Sequence, residues 1–116
     1  MTGAVQMGEV LARFVQQFNH VPELPRMAAG WERHIVIRAR DAGWAAGLRV
    51  AGGRIAIEPP AASPEITLEG PADTLAGIFR GEQSPTEPYL DGTLTVRSSE
   101  EDMMKLDVFT LMVWGV

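Results

Sequence analysis

The chain has 116 residues, 15 acidic against 10 basic side chains, a net charge of −5 and no cysteine. That length suits one domain, residues 1–116, with a modest core, and the missing cysteine excludes thiolate catalysis, disulfides and sulfur-ligated metal sites. The acidic balance argues against general nucleic-acid binding, which needs cations against phosphates.

No apolar run reaches the ~18 residues of a membrane span, and no basic start followed by an apolar run suggests export. A cytoplasmic protein is the expectation. Six methionines and three tryptophans add adaptable apolar bulk of the kind that accepts varied partners.

In chain order, Met7, Leu11, Phe14, Val15 and Phe18 fall on one helical stripe, opposite Gln6, Glu9, Arg13, Gln16 and Gln17. This predicts a first helix over about 5–20. Pro22 and Pro25 stop it, and residues 21–30 read as a linker with one helical turn. The period then changes to two. Arg33, Ile35, Ile37 and Ala39 share one face, with His34, Val36, Arg38 and Arg40 on the other. Trp44, Ala46, Leu48 and Val50 follow, then Ile55 with Ile57, and Gly52-Gly53 is a hairpin signal between the two runs. The expected object is a three-stranded antiparallel meander.

Three prolines within 59–64 make an extended connector. A strand with Ile66 and Leu68 on one face and Glu65, Thr67 and Glu69 on the other ends at Gly70-Pro71. A helix then buries Ala72, Leu75, Ile78 and Phe79, and Gly81 ends it. Ser84 through Glu87 has the form of a capping box before a short turn carrying Tyr89 and Leu90. Leu94 and Val96 mark a last strand, and Ser98 with Glu101 starts a final helix. Helices gathered with one alternating sheet predict an α+β domain with the helices covering one sheet face.

Reactive constellations are scarce. His20 suits a helix C-terminus, His34 is expected toward solvent, and no histidine cluster has metal-ligand spacing. Glu100, Glu101 and Asp102 are explained by the helix dipole, and no serine lies in a nucleophile elbow. The glycines form neither GxGxxG nor a Walker loop. Arg33, Arg38, Arg40, Arg49 and Arg54 read as a solvated sheet face, with an anionic-headgroup or partner patch as the rival reading. The prediction is therefore no catalytic residue, no metal and no cofactor.

What remains is surplus apolar surface. From Met103 to Trp114 bulky side chains point at almost every helical angle, so one stripe cannot hide them all. The segment closes over a cavity, packs on a second subunit, contacts a lipid, or simply fills the core.

Residues 65–106, "EITLEGPADTLAGIFRGEQSPTEPYLDGTLTVRSSEEDMMKL", resemble the C-terminal half of the sterol carrier protein type 2 (SCP2) family. The resemblance rests on Ile66 and Leu68, then Leu75, Ile78 and Phe79, then Gly81 and Pro85, and finally Leu90, Gly92, Leu94 and Val96. The first half fits the same order of elements less specifically. The resemblance implies a five-stranded, mostly antiparallel sheet covered on one face by helices, with an apolar tunnel between the layers. It also implies non-catalytic binding and carriage of a fatty acid, fatty acyl-CoA or sterol.

By family position, Phe14, Phe18, Leu75, Ile78, Phe79, Tyr89 and Leu90 would line the tunnel. Met103, Met104, Phe109, Met112 and Trp114 would form its closing wall. The expected partner is the lipid or acyl-CoA ligand, with no nucleic acid and at most transient membrane contact. A homodimer or a lipid-metabolic enzyme seated on the C-terminal helix, with no lipid cargo, is the alternative. The ending Val113-Trp114-Gly115-Val116 lacks the small-basic-leucine signal of peroxisomal members. Its absence and the alanine-arginine-glycine content are compatible with a bacterial cytoplasmic protein.

Overall fold

The computed structural model describes the backbone over residues 3–114 and the side chains over residues 7–114. Helix α1 spans Gly3–His20 and α2 spans Glu23–Met27. Strands β1 (Arg33–Ala39), β2 (Trp44–Ala51), β3 (Arg54–Glu58) and β4 (Ile66–Gly70) follow. Then come α3 (Ala72–Phe79), α4 (Thr86–Leu90), β5 (Thr95–Arg97) and α5 (Glu100–Met112). Every element expected from periodicity is present in the expected order.

The five strands form one sheet in the order β3-β2-β1-β4-β5. The pairings β1–β2, β2–β3 and β4–β5 are antiparallel, and β1–β4 is parallel. The architecture is therefore α+β with a mostly antiparallel sheet. Ile35, Ile37, Leu48, Val50, Ile55, Ile66 and Leu68 face the helices and are buried. The β2–β3 hairpin turns at Gly52 and Gly53, which both take positive φ, the requirement of a type I′ turn.

The edge strand β3 is closed by a side chain. Asn19 of α1 accepts from the Ile55 N–H at 3.0 Å and donates to the Ile55 carbonyl at 3.0 Å. It thus pairs with the strand as a neighbouring strand residue would. Ile57, expected to bury with Ile55, is 48% exposed at the end of this edge.

Behind the sheet, the proline-rich connector must carry the chain from β3 to the far side of β1. Its course explains two differences from the sequence reading. Val36 points away from the helices yet is only 1% exposed. His34, expected toward solvent, is half-buried, with Nδ1 2.6 Å from a Glu58 carboxylate oxygen and its N–H donating to Glu65 at 2.6 Å. That backbone hydrogen bond holds the Glu65 carboxyl below its usual range.

Gly47 marks where the connector presses closest. A Cβ there would lie 2.8 Å from the Pro59 carbonyl oxygen and 3.0 Å from that of Glu58. Backbone cannot swing aside as a flexible side chain can. Gly47→Ala is therefore expected to cost about 1–3 kcal/mol by overpacking, read as a lowered midpoint in urea denaturation. An unchanged midpoint would show that the connector yields freely.

Helix caps also sit differently from their sequence signals. Ser99, not Ser98, caps α5, its Oγ accepting from the Asp102 N–H at 3.1 Å. Ser84 accepts from Thr86 rather than closing a box with Glu87, and Pro85 occupies the N-cap of α4.

Candidate functional site

The layer between sheet and helices is occupied by a ladder of aromatic rings. Phe79 of α3 meets Phe14 of α1 edge-on, with ring centroids 5.0 Å apart. Phe14 is 6.2 Å from Phe18, Phe18 meets Phe109 of α5 at 5.6 Å, and Phe109 meets Trp31 at 5.5 Å. Each of these rings is nearly or fully buried. Edge-to-face pairs add about 0.5–1.5 kcal/mol each beyond the area they bury.

Helix α5 lies over this ladder as a strap, and a tryptophan fastens each end. At its start, Asp102 accepts from the Trp31 indole N–H and from Arg33 Nε, both at 2.9 Å. Arg33 and Lys105 both stand over the Trp31 ring, at 5.5 and 5.6 Å from its centroid. Burial pushes the Asp102 carboxyl up, but the hydrogen bonds from Arg33 and Trp31 outweigh it and hold the group below its usual range.

At the other end, Trp114 donates to the Phe79 carbonyl at 2.7 Å, satisfying one of α3's terminal acceptors. Its ring rests on Gly81, where a Cβ would come within 2.6 Å of it. The two fastenings differ in strength. A lost neutral hydrogen bond is worth about 0.5–1.5 kcal/mol, whereas removing one partner of a buried charged pair costs about 3–5 kcal/mol. By these magnitudes the Trp114 end is the weaker of the two fastenings.

The twelve residues expected to line a tunnel separate into two groups. Phe14, Phe18, Leu75, Ile78, Phe79 and Phe109 are brought together in the buried core, with Met112 and Trp114 packed against it. Met103 is half-buried. Tyr89, Leu90 and Met104 face outward, 44%, 75% and 69% exposed. The space expected as a tunnel is thus filled by the ladder, and part of the apolar surplus lies on the outside of α4 and α5.

Two openings adjoin the end of α5, one at Trp114 just beyond it and one at Met112. One is a cavity of about 340 Å³ lined by Glu9, Val10, Arg13, Arg80, Glu82 and Trp114. The other is a shallow groove of about 360 Å³ between Glu23, Arg26, Met27 and Met112. Among the described residues no group of three metal-ligating side chains converges, and no helix is long and apolar enough to cross a membrane.

Sequence reading missed Trp31, Asp102, Arg13 and Arg80. A signal existed for Asp102: with Leu106, Phe109 and Val113 it falls on one buried helical stripe, a spacing that places its carboxylate among apolar side chains.

No protein-family model and no curated protein sequence matches the chain significantly. Solved structures do. A UbiJ-SCP2 ubiquinone synthesis protein superposes with a TM-score of 0.70 at 12% identity, over 94% of this chain and 95% of that one. Sterol carrier protein 2 from Aedes aegypti, in complex with palmitate, does so with 0.66 at 16% identity, over 90% and 94%. The inverting sec-alkylsulfatase Pisa1 from Pseudomonas sp. also matches, with 0.63 at 13% identity over 73% of this chain, but the chain spans only 14% of that enzyme. From α1 to α5, then, the chain is built on the sterol carrier protein 2 fold.

Proposed function

We propose that this protein, a single domain over its 116 residues, binds a long apolar lipid between sheet and helices and carries it without catalysing a reaction. Fatty acid, fatty acyl-CoA and sterol are the ligand classes. The observation that carries this reading is the strap of α5 over an aromatic ladder, in a fold that holds palmitate in the Aedes aegypti protein. Phe14, Phe18, Leu75, Ile78 and Phe79 form the fixed wall of the site. Phe109, Met112 and Trp114 move with α5, and Met103, Met104, Tyr89 and Leu90 complete the site on its outer side.

Magnitudes decide what can bind. Lifting α5 exposes Leu106, Phe109 and Val113, at about 2 kcal/mol each, and a buried methylene returns about 0.8 kcal/mol. Chains of more than about eight methylenes offset that loss, and shorter ones do not. The site therefore selects for length before it selects for shape.

The exposed apolar residues of α4 and α5, Leu90, Met104 and Val108 above all, favour a second reading. In it these helices seat a second copy or a lipid-metabolic enzyme, with no cargo. Native mass spectrometry after mild purification separates the two. Carriage is expected to show a monomer with a bound lipid of defined mass. An empty dimer that Met104→Glu converts to monomer would instead establish the association role.

A further inference from the structure

The geometry points to the cavity beside Trp114 as the seat of an anionic head group, a carboxylate or phosphate, on the carried chain. This rests on the carrier reading and names the polar end of the same site. Two arginines line this cavity from separate elements, Arg13 from α1 and Arg80 from the C-cap of α3. Among the described residues neither forms an ion pair.

The cavity's apolar wall is Val10 and Trp114. Val10 belongs to the core cluster that holds Phe14 and Phe79, and Trp114 packs against it. A head group seated here has its chain directed at the end of the ladder, under the end of α5 held by one neutral hydrogen bond. Trp114 is the door between head and chain.

The other openings fit less well. The Met27–Met112 groove offers a single cation, Arg26, beside Glu23. The groove that contains Arg49 and Arg54 lies at the β2–β3 edge, and both arginines point away from the helices.

Glu9 and Glu82 also line the Trp114 cavity, which makes its formal charge zero. Anion selection therefore rests on the placement of Arg13 and Arg80 rather than on net charge, and the acids keep the complex exchangeable. Removing the two kinds of charge must act in opposite directions.

The test titrates dodecanoate, dodecyl phosphate and dodecanol into the wild type, R13Q/R80Q and E9Q/E82Q, followed by tryptophan fluorescence, with circular dichroism as the folding control. The wild type should bind the two anions about tenfold more tightly than the alcohol, R13Q/R80Q should erase that ratio, and E9Q/E82Q should widen it. A ratio lost for one anion alone assigns the head group to that one. An unchanged ratio in folded R13Q/R80Q, or equal loss of all three ligands, overturns the head-group seat and leaves carriage standing. If the wild type binds none of the three, the carrier reading falls with it.

Discussion

Phe14→Ala should weaken the fold by about 3–5 kcal/mol, the range for a buried phenylalanine truncated to alanine, and at the same time increase uptake of apolar ligands. Phe14 is the only ring of the ladder that touches both Phe18 and Phe79 among the described pairs, and it is 1% exposed. Neighbours fixed on α1, α3 and the sheet cannot collapse fully into the space it leaves, so a cavity persists. A ligand that fills the cavity restores stability by mass action, by about 2.7 kcal/mol at a hundredfold excess over its Kd. Urea denaturation with and without dodecanoate measures both effects. A variant that loses stability and gains nothing from the ligand would show that the ladder is structural packing without access to cargo.

Asp102→Ala should cost about 3–4 kcal/mol, because it strands the Trp31 indole N–H and removes the partner of Arg33. For a chain of this size that lowers the melting temperature by about 10 °C or more. The same contact gives the protein an acid limit. The Asp102 carboxyl is held below its usual range in the folded chain, so its contribution is complete above the unfolded value, about pH 4, and is lost as pH falls through the lower folded value. Glu65, also held low, adds to the same slope. Stability followed from pH 6 to pH 2 should fall below about pH 4 in the wild type and more gently in Asp102→Asn. Parallel curves would remove Asp102 from the account. The Trp31 indole N–H resonance should shift as the fastening releases, which separates this step from global unfolding.

Periodicity exposed nearly all the elements, because the strands alternate and α1 and α3 each keep a clean stripe. The Gly70-Pro71 corner and the Gly52-Gly53 turn are equally plain in the chain. Sequence could not say where the apolar surplus would go. Met103 to Trp114 carries bulk at many angles, but only the register of α5 over the ladder decides that Phe109 turns inward and Met104 outward. Caps slipped by one residue for a similar reason: Ser98 and Ser99 are adjacent, and the choice between them depends on where α5 must begin for Asp102 to reach Trp31. That contact joins residues 71 positions apart, beyond any local pattern. His34 keeps 41% of its side chain exposed on the face its alternation gives it, and only its partner Glu58, 24 residues away on β3, lay beyond the local pattern. Arg13 falls on the polar face of the first helix and Arg80 has no local signal, and only the meeting of α1 with the end of α3 gives them a common cavity.

The pairing of Asn19 with Ile55 bears on how the protein behaves when concentrated. An outer strand with free amides can recruit a like strand from another molecule, and stacking can then continue without limit. Here a carboxamide takes up the donor and acceptor of Ile55, the second residue of the five-residue strand, and at the opposite margin β5 is only three residues long. The molecule thus offers little template for fibril growth, and that protection resides in a side chain whose loss would show as polymerisation before it showed as unfolding.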